Sequence, residues 1–352
     1  GINVDITLTG SDGSTDTVAL AAGTNITLTE SGGFIYIDAA GGLAGTQYVY
    51  VAANGTDTAN AAELQAAYST AQTMSPSASN RITIIAAPGN YNFSSNFVLS
   101  TQYINLVSLD GNRSITFNGT ASISIPNFTT NIFVKGVAVL NSSFLVGDFN
   151  SNTIIENCSG SNGSFGGVGG FGQNNSTYID CVGSNDCFSS NGTAGGTYIN
   201  CVGGGSCFGA YGTASGTFID CTGSDFSFGG NGQASGTFTN CKGDQGSFGA
   251  YGTASGTFRN CIGSGGSDQF GGFGNASGIF TNCTGSNTSF GGFNIASGTF
   301  NNCIGGSNAF GGFGTLTGKL YYCRLTAGAF ETVSGAGRTV LCIDGSNNQN
   351  NQ

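Results

Sequence analysis

The 352-residue chain contains no histidine, and only 7% of its residues are charged. Without histidine, a metal centre would need closely spaced cysteines with carboxylates. The sequence offers no such cluster, so neither a metal nor any other cofactor is expected. Ordinary soluble domains are about 25% charged, so ion pairs cannot be the main source of cohesion here. Eight basic residues stand against 18 acidic ones, a net charge of −10. That balance disfavours nucleic acid, whose binding rests on arrays of cations at phosphates, and also anionic membrane. The sequence reads without a signal peptide and without an apolar run long enough for membrane insertion. The chain opens on Gly1 rather than Met, and reads as a processed product or part of a longer polypeptide.

What the chain has in abundance is repetition. From about residue 158 to residue 342, cysteine returns every 20 positions at 181, 201, 221, 241 and 261. After a two-residue insertion near Gly265-Gly266 it resumes at 283, 303 and 323. Phe188, Phe208, Phe228, Phe248, Phe270, Phe290, Phe310 and Phe330 keep the same interval, as do Tyr198, Phe218, Phe238, Phe258, Phe280 and Phe300. Several residue types recurring in register describe one structural coil stacked on copies of itself. Helical repeats need about 33 residues or more and tolerate little glycine, which leaves a β-solenoid.

In the unit Ala214-Ser-Gly-Thr-Phe218-Ile-Asp220-Cys221-Thr-Gly223, strict alternation from an inward Phe218 would turn Cys221 outward. Free cysteine prefers burial, so a bend at residue 220 must reset the parity. That position holds Asn157, Asp180, Asn200, Asp220, Asn240, Asn260, Asn282 and Asn302. Asn and Asp are the non-glycine residues that best accept left-handed backbone angles. With this asparagine column and the stretch Ile82–Phe93, the chain resembles the pectate-lyase-like group over residues 46–345. The resemblance implies an all-β fold, a right-handed parallel β-helix of about 20-residue coils. About nine regular coils at roughly 4.8 Å each give a rod near 45 Å.

Twelve cysteines would suggest disulfides in an oxidising compartment. Ten, however, fall in one column (counting Cys158 and Cys342), and Cys187 and Cys207 form a second. Stacked neighbours have parallel Cβ vectors, whereas a disulfide needs them to converge, so mostly free, buried thiols are expected. Residues 57–74 read as one helix, capped by Asp57 or Thr58, with an apolar stripe of Leu64, Ala67, Tyr68 and Ala71 that would cover the open first coil. Residues 1–45 read as a β connector with a hairpin turn at Ser31-Gly32-Gly33, too small to bury a core alone. Within it, Asp16–Glu30 looks like the short β segments of trimeric bacteriophage fibre and spike proteins. Residues 346–352 read as a polar tail.

Function is less directly written. Glycoside hydrolysis needs two carboxylates about 5–9.5 Å apart. The solenoid offers Glu156, Asp180, Asp186, Asp220, Asp225, Asp244, Asp268, Glu331 and Asp344, without a catalytic spacing. Asp225, Asp244 and Asp268 fall on a turn edge, where neighbouring acids could also meet a calcium ion. No basic residue joins them in an evident motif, and catalysis is poorly supported. A second feature is the column Asn191, Tyr211, Asn231, Tyr251, Phe273, Phe293, Phe313. Facing outward, it would be a glycan-reading strip of rings and amides; its plainer role is packing at a corner or against a neighbouring chain. Thr197, Thr217, Thr237, Thr257 and Thr299 are expected to point outward. They raise an ice-binding alternative, which the mixed companion column (Ile199, Ile219, Thr239, Arg259, Thr281, Asn301) argues against.

Taken with the fibre resemblance, the expectation is a homotrimeric tail-fibre or tailspike component. It would sit on the virion surface, joined to other tail or baseplate proteins, and bind a host cell-surface glycan or receptor. The rivals are a polysaccharide-degrading β-helix enzyme and a secreted bacterial adhesin.

Overall fold

A computed structural model describes residues 3–9, 15–21, 26–31 and 34–39 as backbone strands. It further describes residues 47–350, apart from 142–143, 147–151, 162, 167–172, 267 and 331–337. From Gln47 onward the chain winds as a right-handed parallel β-solenoid of about 12 turns. Each regular turn lays one short strand on each of three faces. Thr217–Ile219 lies in register between Thr197–Ile199 and Thr237–Thr239. Thr222–Gly223 lies between Val202–Gly203 and Lys242–Gly243. Gln233–Ala234 lies between Thr213–Ala214 and Thr253–Ala254.

The expected bend is present in every regular turn. The eight Asn and Asp residues named for it have φ between 49° and 55°, and Tyr322 and Leu341 adopt the same angle near the end. The bend puts both flanking side chains inside, so Phe218 and Cys221 are each fully buried while Thr217 and Ile219 lie outward. Along the outside, the amides form a ladder: Asn200 Nδ2 donates to Asp180 Oδ1 (2.6 Å), Asn260 to Asn240 (3.1 Å) and Asn302 to Asn282 (3.0 Å).

A second left-handed position was not legible in the sequence. Phe188, Phe208, Phe228, Phe248, Phe270, Phe290 and Phe310 have φ between 49° and 56°, a region that costs an L-residue about 1–2 kcal/mol. Complete burial of each ring offsets that cost. In most turns a left-handed glycine follows; at Gly229, φ is 67° and a Cβ would lie 2.2 Å from the Gln233 carbonyl oxygen.

Two aromatic columns fill the interior. Rings stack at 4.6–4.9 Å within 5° of parallel along Phe188–Phe310, and at 4.7–4.8 Å along Tyr198–Phe300. Strand spacing imposes this interval. The two columns meet edge-on, as Phe228 meets Phe238 at 5.9 Å and 87°, the geometry ring quadrupoles favour.

Ten cysteines are free and buried. Their thiols donate to backbone carbonyls at the bend: Cys221 Sγ lies 3.4 Å from the oxygens of Tyr198 and Ile219, and Cys241 repeats this with Phe218 and Thr239. Burial pushes the thiols of Cys158, Cys201 and Cys241 above their ordinary range. Cys187 and Cys207 depart from the expectation, forming a disulfide with Cα atoms 4.9 Å apart. They follow left-handed Asp186 and Ser206 in a turn rather than lying in paired strands, so the parallel-vector argument does not govern them.

At the N-terminal end, Asn3–Thr9 pairs antiparallel with Thr15–Ala21. Ile26–Ser31 pairs antiparallel with Phe34–Ala39, Ser31 opposite Phe34, and Phe34–Ala39 adds to Gln47–Val51 at the edge of one solenoid face. Gly32 and Gly33, the expected turn, lie outside the described residues. The helix, Asp57–Thr73, is inserted between the first-face strands Gln47–Val51 and Ile82–Ala86. Its cap is Thr56 rather than Asp57 or Thr58: Thr56 is extended and its Oγ1 accepts from Ala59 N, whereas the Asp57 carboxylate accepts from Asn118 Nδ2 (2.6 Å). Leu64, Ala67, Tyr68 and Ala71 are buried as expected, and the Tyr68 hydroxyl accepts from Ser100 N and Thr101 N. At the other end, Gln349–Asn350, in the segment read as a tail, folds back antiparallel on Cys342–Ile343.

Candidate functional site

The aromatic and amide column is positioned by the second left-handed bend. In Phe208-Gly209-Ala210-Tyr211, two successive left-handed residues redirect the chain, so that Ala210 is fully buried and Tyr211 projects into solvent. Successive coils hold the column in register through backbone bonds. Asn231 N donates to Ala210 O (2.8 Å), Tyr251 N to Gly230 O (2.9 Å) and Phe293 N to Gly272 O (2.9 Å). All seven residues, Asn191, Tyr211, Asn231, Tyr251, Phe273, Phe293 and Phe313, are exposed. The five rings are 41–62% accessible, whereas those of the inner columns are 0%. This is surface, not a corner of the core.

Four of the rings form a continuous stack: Tyr251 on Phe273 at 5.0 Å, Phe273 on Phe293 at 4.6 Å, and Phe293 on Phe313 at 5.0 Å, all within 13° of parallel. Stacked this way, the rings turn their edges to solvent, and their faces are free only where the stack ends. Tyr211 stands apart, separated by Asn231, with Ser206 Oγ 3.4 Å from its hydroxyl. Phe226, half-buried, leans on Tyr251 at 5.9 Å. Residue composition alone did not single out Phe226, because nothing else in its column is aromatic.

The acids do not gather around this column as a catalytic group. Asp180 and Asp220 accept from Asn200 and Asn240 in the outer ladder. Glu156 pairs with Lys135 at 2.7 Å. Asp268 is buried and accepts from the Thr288 hydroxyl. Asp344 closes its own turn with Ser346 N and Asn348 N, and those bonds hold its carboxyl below the usual range. Asp186 and Asp225 are exposed on the turn edge, Asp244 is half-buried there, and Glu331 lies outside the described residues. The most strongly perturbed carboxylate is one the catalytic reading did not name. Asp110 accepts from Ser108, Ser114 and Asn112 N, bonds that lower its pKa; Asp-Gly-Asn at 110–112 is a turn signature. Among the described residues, no three Cys, Asp or Glu side chains cluster as a metal-binding set. The threonines lie outward as expected, partly exposed beside buried rings.

No protein-family model matches the chain, and no curated protein or solved structure shows significant similarity to it. The solenoid is therefore identified by its own geometry.

Proposed function

We propose that the protein is an attachment component of a viral fibre or spike and that its exposed aromatic ladder binds a host cell-surface glycan. The observation that carries this reading is the ladder itself: five rings and two amides held outward on a rigid lattice of backbone hydrogen bonds. Soluble proteins rarely leave a long apolar strip uncovered unless something binds there. Rings that interleave with amides suit sugars, which offer apolar C–H faces and hydroxyl edges. The Asn191-Tyr211-Asn231-Tyr251 half of the ladder is more polar than the core of a chain-to-chain interface. In this reading residues 1–45 trimerise the chain and join it to tail or baseplate proteins, and the solenoid is a stiff shaft displayed on the virion.

The test is a glycan array probed with the full chain and with a variant carrying serine at Tyr211, Tyr251, Phe273, Phe293 and Phe313. Binding by the first and not by the second is expected. Equal binding by both would overturn the assignment of the ladder. Light scattering on the full chain should give three times the 35.2 kDa chain mass; a monomer would remove the trimer.

A further inference from the structure

Within the ladder one rung is missing, and we infer that the gap at Asn231 is a binding slot for a single neutral pyranose ring. The inference rests on the glycan-binding reading and narrows it to a site and a ligand class. Tyr211 and Tyr251 occupy the same column two coils apart, with Asn231 between them. One coil rises about 4.8 Å, so the two positions stand about 9.6 Å apart. The rings that do stack in this column lie 4.6–5.0 Å from each other. The gap is therefore two stacking intervals, the room that one inserted ring needs to contact both tyrosines.

Three further features shape the slot. Tyr251 stacks one face on Phe273 (5.0 Å, 11°), and its other face, toward the gap, is met only at a tilt by Phe226 (5.9 Å, 39°). Tyr211 is 53% exposed, more than the doubly stacked Phe273 at 42% and Phe293 at 41% and less than Phe313 at the end of the stack, at 62%. Phe226, on the same coil as Asn231, leans on Tyr251 and walls one side, its ring lying over Gly246, where a Cβ would come within 2.7 Å. At the floor, the exposed Asn231 amide offers one acceptor and two donors to the hydroxyl edge of a sugar.

Charge selects among sugars. The turns at 184–186, 204–206, 224–226 and 244–246, which reach the column through Ser206 at Tyr211 and Phe226 at Tyr251, carry Asp186, Asp225 and Asp244 and no lysine or arginine. Uronic and sialic acids would be repelled, and neutral hexoses would not.

The experiment is an NMR titration of the full chain, following ring-proton shifts of Tyr211 and Tyr251. The probes are methyl glucopyranoside, methyl galactopyranoside, methyl mannopyranoside and, as the charged counterpart, methyl glucuronide. Saturable shifts at both tyrosines with at least one neutral probe, and none with the glucuronide, are expected. Asn231→Phe supplies the missing rung and should weaken that binding about tenfold or more by closing the slot. Asn231→Ala, which keeps the slot open, should weaken it less. Should Asn231→Phe fail to fold, Tyr211→Ala serves instead, removing one wall. Unmoved tyrosines with every neutral probe would overturn the slot, and so would retained affinity in Asn231→Phe. If the full chain meanwhile still bound the array through its ladder, the slot would fail and the wider reading would stand. Loss of array binding would remove both.

Discussion

Replacing Asn240 separates the two reasons for an asparagine column. Asn240 sits at φ 55°, donates to Asp220 Oδ1 at 2.9 Å and accepts from Asn260 Nδ2 at 3.1 Å, all on the outside of the rod. Alanine there loses both side-chain bonds, about 0.5–1 kcal/mol each at an exposed site. It also meets the left-handed penalty of about 1–2 kcal/mol, so Asn240→Ala should cost about 2–4 kcal/mol. Glycine loses the same bonds but is free of the penalty, and its larger unfolded-state entropy takes back only about 0.5–1 kcal/mol. Asn240→Gly should therefore be the milder change by about 1 kcal/mol. Guanidinium unfolding followed by far-UV circular dichroism, incubated until curves from the folded and unfolded sides coincide, reads both values. Alanine tolerated as well as glycine would refute the bend as the reason for asparagine and leave only the ladder.

Phe238→Ala, in a fully buried ring stacked at 4.8 and 4.7 Å on its neighbours, should cost about 3–5 kcal/mol in the same assay. Phe293→Ala, 41% exposed, should cost markedly less, and equal losses would contradict the inside–outside assignment. The ten free cysteines should resist iodoacetamide in the native protein and react in denaturant, with two more appearing after reduction of Cys187–Cys207. Rapid native labelling of the Cys221–Cys323 column would contradict its burial. Because burial raises the folded-state pKa of Cys158, Cys201 and Cys241, their contribution to stability is complete below the ordinary thiol pKa of 9.0. It is lost as pH rises beyond that value, where unfolded thiols ionise. Melting temperature should fall above about pH 9, less steeply once these three are alanine; an identical slope would count against linkage through the thiols.

The sequence disclosed whatever depends on residue type at a fixed interval. The parity conflict between Phe218 and Cys221 was enough to place the bend at Asp220, because few residues accept that conformation. The left-handed Phe228 column was hidden, since a bulky ring has no intrinsic preference for that angle and takes it only when burial repays the strain. The Cys187–Cys207 bond is hidden for a related reason: strand stacking keeps Cβ vectors parallel, and these two cysteines lie in a turn. Thr56, Asp57 and Thr58 are equally suitable caps chemically, and only backbone angles single out Thr56. For the ladder, periodicity identified the seven positions but could not say on which side of the wall they lie. Deciding that required the handedness change across Phe208-Gly209. The gap at Asn231 became meaningful only with the ring spacing of the rungs above it.

An open ladder awaiting a ligand must be reachable by solvent along its whole length. Hydroxyl-radical footprinting of the full chain, read by mass spectrometry, tests it residue by residue. Tyr211, Tyr251, Phe273, Phe293 and Phe313 are expected to be oxidised readily while Phe218, Phe238 and Phe258 stay protected. A ladder as protected as that inner column would place it between chains and contradict the proposed role in attachment.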